Sequence, residues 1–238
     1  APIMDSLKSR LASLRRQSGT EPPTCPPAGE SAPEAAPPLR SRLERLGRAR
    51  RPDTPPAGAD DAALARRLGG QLAAEGLIAL EAWLPADTAC GSRRLGAGPD
   101  LAPALAAFGH GGRAVCMDTE TTGLSGGTGT VVFLLGLGIL GPGGLLVRQY
   151  LITGFAGEEA LLDAAAGTLG PGDTLVSYNG RGFDAPLLAA RYRLAGREDP
   201  FARLPHLDLL APTRAAFAKS WPDCRLATVE RRLLGLRR

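Results

Sequence analysis

Eleven consecutive residues, TVVFLLGLGIL at 130–140, carry no charge, and after GPGG the apolar pattern resumes as LLVRQYLI at 145–152. A bilayer span needs about 20 apolar residues, so the run is too short to cross a membrane. Two apolar runs joined by a short Gly/Pro turn predict a β-hairpin. RAVCMD (113–118) adds a buried strand in front, which makes three strands in antiparallel succession. GEEALLDAAAGTLG then predicts an amphipathic helix with acids in its first turn, where the macrodipole favours them. DTLVSYN predicts a strand, and FDAPLLAARYRLAG a helix ending at Gly196. HLDLLAPTRAAFA and ATVERRLLGL each hold a further helix. The order β-β-β-α-β-α defines an α/β protein with a mixed sheet flanked by helices.

Upstream, DDAALARRLGGQLAAEG predicts one helix that stops at Gly76. LIALEAWL (77–84) predicts a strand, and residues 101–108 a short helix. Residues 1–58 differ in kind. They hold 11 of the 21 prolines and ten Lys or Arg against six Asp or Glu, whereas residues 59–238 balance at eighteen against eighteen. Such a segment buries too little apolar surface to offset ordering entropy. The expected division is a mostly disordered basic tail at 1–58, with candidate short helices at SLKSRLASLRR and SRLERLGRAR. A helix/strand extension follows at 59–112, and the α/β domain proper at 113–238. The tail is compatible with a nucleic-acid or protein partner, and equally with a plain solvated segment. With no signal-peptide pattern and no membrane span, the expected location is cytoplasmic. No pair of the four cysteines is spaced as C-x-x-C, which argues against a zinc site or a disulfide framework.

The chemistry concentrates at AVCMDTETTGL, 114–124. Residues i and i+2 of a strand share a face, so Asp118 and Glu120 lie side by side where the strand gives way to a loop. Two adjacent carboxylates need a shared proton or a divalent cation held by hard oxygen ligands. A second stretch, LVSYNGRGFDAPLL at 175–188, ends a strand, turns at Asn179-Gly180 and starts a helix. Asp184 is either a helix N-cap or a third carboxylate at the same sheet edge, because the strand before it follows a crossover and can pair beside 113–118. GLSGGTGT lacks the G-K-[ST] ending of a P-loop. His206 reads as a structural histidine, and Trp83 and Trp221 as packing residues.

DTETTGL with NGRGFDAPLL resembles the first two motifs of the DEDD (DnaQ-like) 3′–5′ exonuclease superfamily. MDTETTGLSGGTGTVVFLLG, SYNGRGFDAPLLAARY and LPHLDLLAPTR are similar to the YprB-like branch of ribonuclease H-like proteins, and the resemblance runs over residues 61–236. It implies a ribonuclease H-like fold and a nuclease acting on the 3′ end of DNA or RNA. Asp118 would bridge two Mg²⁺ or Mn²⁺ ions, Glu120 would hold the ion that activates water, and Asp184 would hold the second. The backbone of Thr121, Thr122 and Gly123 and the side chain of Leu124 would hold the terminal nucleotide. Asn179 and Phe183 would shape the pocket, with Phe183 mostly in the core, and Asp208 would support the site. Two ions roughly 3.5–4 Å apart stabilise the attacking and leaving oxygens of phosphodiester hydrolysis. The superfamily's fourth carboxylate, an Asp a few residues after a His or Tyr on a late helix, has no match up to Arg238. The chain is then part of a longer nuclease, or a catalytically inactive nucleic-acid-binding or scaffolding domain. A ribonuclease H-type endonuclease is a third reading.

Overall fold

The structure, a computed structural model, describes residues 59–96, 98–123 and 129–236. The expectations for the tail at 1–58 and for Leu124 lie outside the described residues. The elements in chain order are α1 (Ala59–Leu68), β1 (Gln71–Ala74), β2 (Leu77–Pro85), β3 (Ala89–Cys90), β4 (Arg93–Arg94), α2 (Gly98–Ala107), β5 (Ala114–Thr121), β6 (Val132–Gly141) and β7 (Gly144–Ile152). They continue with α3 (Glu158–Ala166), β8 (Thr174–Ser177), α4 (Asp184–Leu194), β9 (His206–Asp208), α5 (Leu210–Phe217), α6 (Leu226–Val229) and a π-helical turn, Glu230–Leu234.

Seven strands form one sheet in the order β1-β2-β7-β6-β5-β8-β9, and β3 and β4 form a separate hairpin. Strands β5, β6 and β7 run antiparallel, as the Gly/Pro turn at 141–144 demands. The chain then crosses over through α3, and β8 pairs parallel with β5, joining Cys116 to Val176. The mixed sheet expected from the element order is therefore present, in the arrangement that the ribonuclease H-like resemblance implies. Arg113 clamps the start of this parallel pair, donating from Nε and Nη2 to the Asp173 carboxylate at 2.9 and 2.7 Å.

Two elements differ from the sequence expectation. The helix predicted to run to Gly76 ends at Leu68, because Gly69 takes a left-handed conformation (φ 75°) that terminates it. Gly70 then passes so close to β2 that a Cβ there would meet the Ala79 carbonyl oxygen, and QLAA becomes β1. Similarly, HLD forms a three-residue strand, β9, pairing parallel with β8, before the helix begins at Leu210.

Each sheet face has its own cover. On one face Val115, Met117, Leu135, Leu137 and Tyr150 pack against Leu161, Leu162 and Ala165 of α3 and Leu187, Leu188 and Tyr192 of α4. On the other, α1 packs Leu64 and Ala65 over Ile78, with Leu80 and Leu151 alongside. At the opposite end of that face α2 brings Leu105 over Ala114, Leu140 and Leu207. Among the described residues no helix covers the sheet between these two small clusters.

Candidate functional site

That gap is where the acidic pair emerges. Alternation along β5 sends Val115, Met117 and Thr119 to the main core, and Ala114, Cys116, Asp118 and Glu120 to the other face. The even-numbered residues pass from cover to exposure in chain order: Ala114 is buried, Cys116 half-buried, Asp118 and Glu120 exposed. Burial pushes the Cys116 thiol up from its ordinary pKa, so it behaves as a small hydrophobe. Across the sheet, Asp118 stands opposite Gly136, which stands opposite Gln149. Gly138 stands opposite Cys116 in the same way. A Cβ at Gly136 would meet nothing nearer than the Asp118 carbonyl oxygen at 3.8 Å, so the space beside the carboxylate is open. The result is a shallow groove of about 310 Å³, lined on this face by Asp118, Glu120, Leu134, Gly136, Gly138 and Gln149.

Asp184 sits elsewhere. It opens α4, its side chain is buried, and its Oδ1 accepts a hydrogen bond from the Thr119 hydroxyl. Thr119 lies between Asp118 and Glu120 in sequence and therefore on the reverse face of β5. The three carboxylates reach one region of the sheet, as β5 and β8 are neighbours, but they do not form one cradle. Among the described residues no three His, Cys, Asp or Glu side chains converge to hold a metal ion. Asp118 and Glu120 by themselves fit a single hard cation: Mg²⁺ keeps most of its waters and is commonly held through one or two carboxylates. Asp184 Oδ1 is instead engaged by Thr119.

The loop from β8 to α4 is held by Asp208. Its Oδ1 accepts the backbone N–H of Asn179 (2.8 Å) and Leu210 (2.9 Å), and its Oδ2 that of Arg181 (3.0 Å). Desolvation raises the Asp208 pKa, but these three donors together outweigh it and hold the carboxyl below its usual range. Asn179 needs the support, as it is the one described non-glycine residue with positive φ, at 70°. Next to it, Ser177 Oγ lies 2.8 Å from His206 Nε2 and accepts the Gly180 N–H at 3.2 Å. Burial, then nearby Arg181, lowers the His206 pKa and favours the neutral ring. Asn179 is exposed, and Phe183 is half-buried outside the described core clusters rather than mostly in the core.

The residues after β5 are also committed locally. The Thr122 Oγ accepts the Val131 N–H at 3.0 Å, and the Thr122 N–H donates to the Val131 carbonyl at 3.0 Å. Thr122 thus staples the two ends of the intervening loop, and its side chain is buried. The Thr121 hydroxyl donates to the Gly123 carbonyl at 2.8 Å. Trp83, expected as a packing residue, is 51% exposed, whereas Trp221 stacks on Phe217 with ring centroids 4.0 Å apart.

A mixed sheet with this crossover, carrying an acidic pair at the end of an inner strand, is the framework of a ribonuclease H-like protein. A sequence model of the RNase_H superfamily matches residues 115–238, and the chain belongs to that family. Its members are nucleases or nucleic-acid-binding proteins by type. The chain is also 37% identical over 124 residues to the uncharacterized protein YprB of Bacillus subtilis (strain 168). That match takes in 51% of this chain and 29% of the relative's length. Among the described residues no helix is long and apolar enough to cross a membrane.

Proposed function

We propose that this chain carries the metal-binding face of a phosphodiester hydrolase of the 3′–5′ exonuclease type, acting on a DNA or RNA strand. The observation that carries it is the exposure of Asp118 and Glu120, side by side on an inner strand, beside a floor kept open by Gly136. An inner strand ordinarily buries such positions, and two carboxylates there need a reason. A bound Mg²⁺ or Mn²⁺ would supply charge neutralisation and an activated water for attack on phosphorus. Asp118 and Glu120 would hold the ion. Gly136 leaves room for the scissile phosphate beside them, and Asp208 fixes the loop that carries Asn179 and Asp184. A two-ion form of the reaction would draw on Asp184 or on further ligands.

A second reading has its own support. The Asp184 carboxylate is buried and already hydrogen-bonded to Thr119, which is what a structural acid does. A ribonuclease H-like domain that binds nucleic acid without cleaving it would look the same. Degradation of end-labelled single strands in Mn²⁺ separates the two. Hydrolysis by the wild type that is lost in Asp118→Ala supports the hydrolase. Equal cleavage by both excludes the assigned chemistry, and binding with no cleavage by either favours the second reading.

A further inference from the structure

The balanced charge of residues 59–238 conceals a partition. Residues 59–209 hold eleven Lys or Arg against sixteen Asp or Glu, while residues 210–238 hold seven against two. The sheet and its helices are therefore acidic, and the C-terminal lobe formed by α5, α6 and the π-helical turn is basic. Five of the lobe's cations, Arg214, Lys219, Arg225, Arg231 and Arg232, lie among the described residues, and all five are exposed. None of them forms a salt bridge with another described residue, whereas five of the body's eleven cations, Arg113, Arg148, Arg191, Arg197 and Arg203, do. The lobe's two acids are Asp223 and Glu230; the Asp223 carboxyl is lowered first by the Thr228 hydroxyl and the Arg225 N–H, with Arg225 and Arg231 adding charge.

The lobe is also ordered rather than a loose tail. Phe217 and Trp221 stack within 6° of parallel, and the Arg232 guanidinium lies 5.5 Å from the Trp221 ring centre. An arginine laid against an aromatic ring keeps its charge and loses less side-chain entropy when it binds an anion. The Tyr178 hydroxyl donates to the Cys224 carbonyl at 2.5 Å, which ties the lobe to the residue just after β8, the strand beside β5. On its other side the Ser92 N–H donates to the Leu234 carbonyl at 2.5 Å, and Gly91 packs so tightly there that a Cβ would collide with that oxygen. This contact brings the β3–β4 hairpin, with exposed Arg93 and Arg94, up against the lobe.

We propose that the C-terminal lobe is a binding surface for the sugar–phosphate backbone of a nucleic-acid strand, and that it places the strand beside the groove at Asp118 and Glu120. The proposal rests on the nucleic-acid reading above but does not need cleavage. Phosphates supply the repeating negative charge that exposed, unpaired guanidinium groups recognise, and the acidic body steers the same polymer away from the rest of the surface. The lobe explains how a site built of carboxylates can attract a polyanion.

The test is fluorescence-anisotropy binding of the full chain to a labelled oligothymidylate about twenty nucleotides long, in EDTA so that hydrolysis plays no part. Each phosphate contact contributes about 0.7 to the slope of log K against log salt for a single strand. Lys219→Gln with Arg225→Gln, which leaves the Trp221 stack intact, is expected to weaken binding and lower the slope by about 1.4. Substitution of all five cations by Gln is expected to lower it further. Arg66→Gln with Arg67→Gln, an equal loss of exposed charge on α1, is expected to leave the slope within error of wild type. The basic 1–58 segment adds the same background in every variant, so the change of slope is the readout. The proposal is overturned if the double and fivefold variants keep the wild-type slope. It is equally overturned if the chain binds phosphatidylserine vesicles or polyglutamate but not the oligonucleotide. Unchanged binding with no Mn²⁺-dependent cleavage would remove the hydrolase reading and leave this one standing. Cleavage at an unchanged KM by the fivefold variant would do the reverse.

Discussion

The two faces of strand β5 are built from alternate residues of one short segment and serve opposite ends. The odd positions, Val115, Met117 and Thr119, are buried against α3 and α4, and the last of them satisfies the buried Asp184 carboxylate. The even positions pass from Cys116, under the edge of α2, to Asp118 and Glu120 in the open. The core face supplies stability and makes the geometry of the other face reproducible. The open face contributes little packing and carries the charge. A strand can do both because its side-chain period is two, so neither function competes with the other for positions.

Breaking this division should give opposite results on the two sides. The largest effect expected is on the open face: Asp118→Ala should lower Mn²⁺-dependent strand hydrolysis by about a hundredfold or more, on the scale of removing a charge-stabilising group from an active site. Its unfolding free energy should change less than that of a core truncation, as the side chain is exposed. Met117→Ala should do the reverse, costing about 2–5 kcal/mol in urea unfolding through the cavity it leaves. A result in which Asp118→Ala destabilises as much as Met117→Ala would erase the distinction. Thr119→Val removes the donor to a buried carboxylate and should cost about 1–3 kcal/mol. Asp208→Ala leaves the N–H groups of Asn179, Arg181 and Leu210 without their acceptor. It should cost a similar amount, read as faster hydrogen exchange at those amides.

Acidification sharpens the same contrast by the smallest step. The Asp208 carboxyl is depressed in the fold, so its contribution is present above the unfolded carboxylate pKa and is lost as pH falls through the lower, folded value. His206 is also depressed, and burial of the neutral ring means its contribution fades as pH falls below about 6.5, the ordinary imidazole value. Both act in one direction. Stability of the β8–α4 loop should decline on acidification, in a first stage below pH of about 6.5 and a second in the carboxylate range. Asp208→Asn should remove the second stage and leave the first.

Much of the fold was legible because its strands are long or carry clear turn chemistry. Strands β5, β6 and β7 declare themselves through apolar runs and the turn at Gly141–Gly144, and β8 through its position after the crossover helix. Strand β1 was hidden because QLAA continues the helical pattern of the preceding residues, and only the close approach of Gly70 to β2 redirects it. Strand β9 is three residues long and exists through pairing with β8, a contact that no local pattern announces. The acidic pair was legible from the i, i+2 rule. The orientation of Asp184 was not, as sequence order brings its loop to the sheet edge without saying which side of β5 the carboxylate turns to. One signal was available: Thr119, between the two acids, must point the other way and needs a polar partner once buried. The basic lobe was equally available in the charge count, but only after residues 59–238 are divided at the end of β9.

On the reading proposed above, the open face of β5 grips a divalent cation through Asp118 and Glu120, independently of Asp184. Titration of Mn²⁺ into the chain, followed by electron paramagnetic resonance, measures this without any substrate. The account predicts a bound ion in the wild type and in Asp184→Asn, and none in the double variant Asp118→Asn with Glu120→Gln. Mn²⁺ bound equally well by that double variant would contradict it.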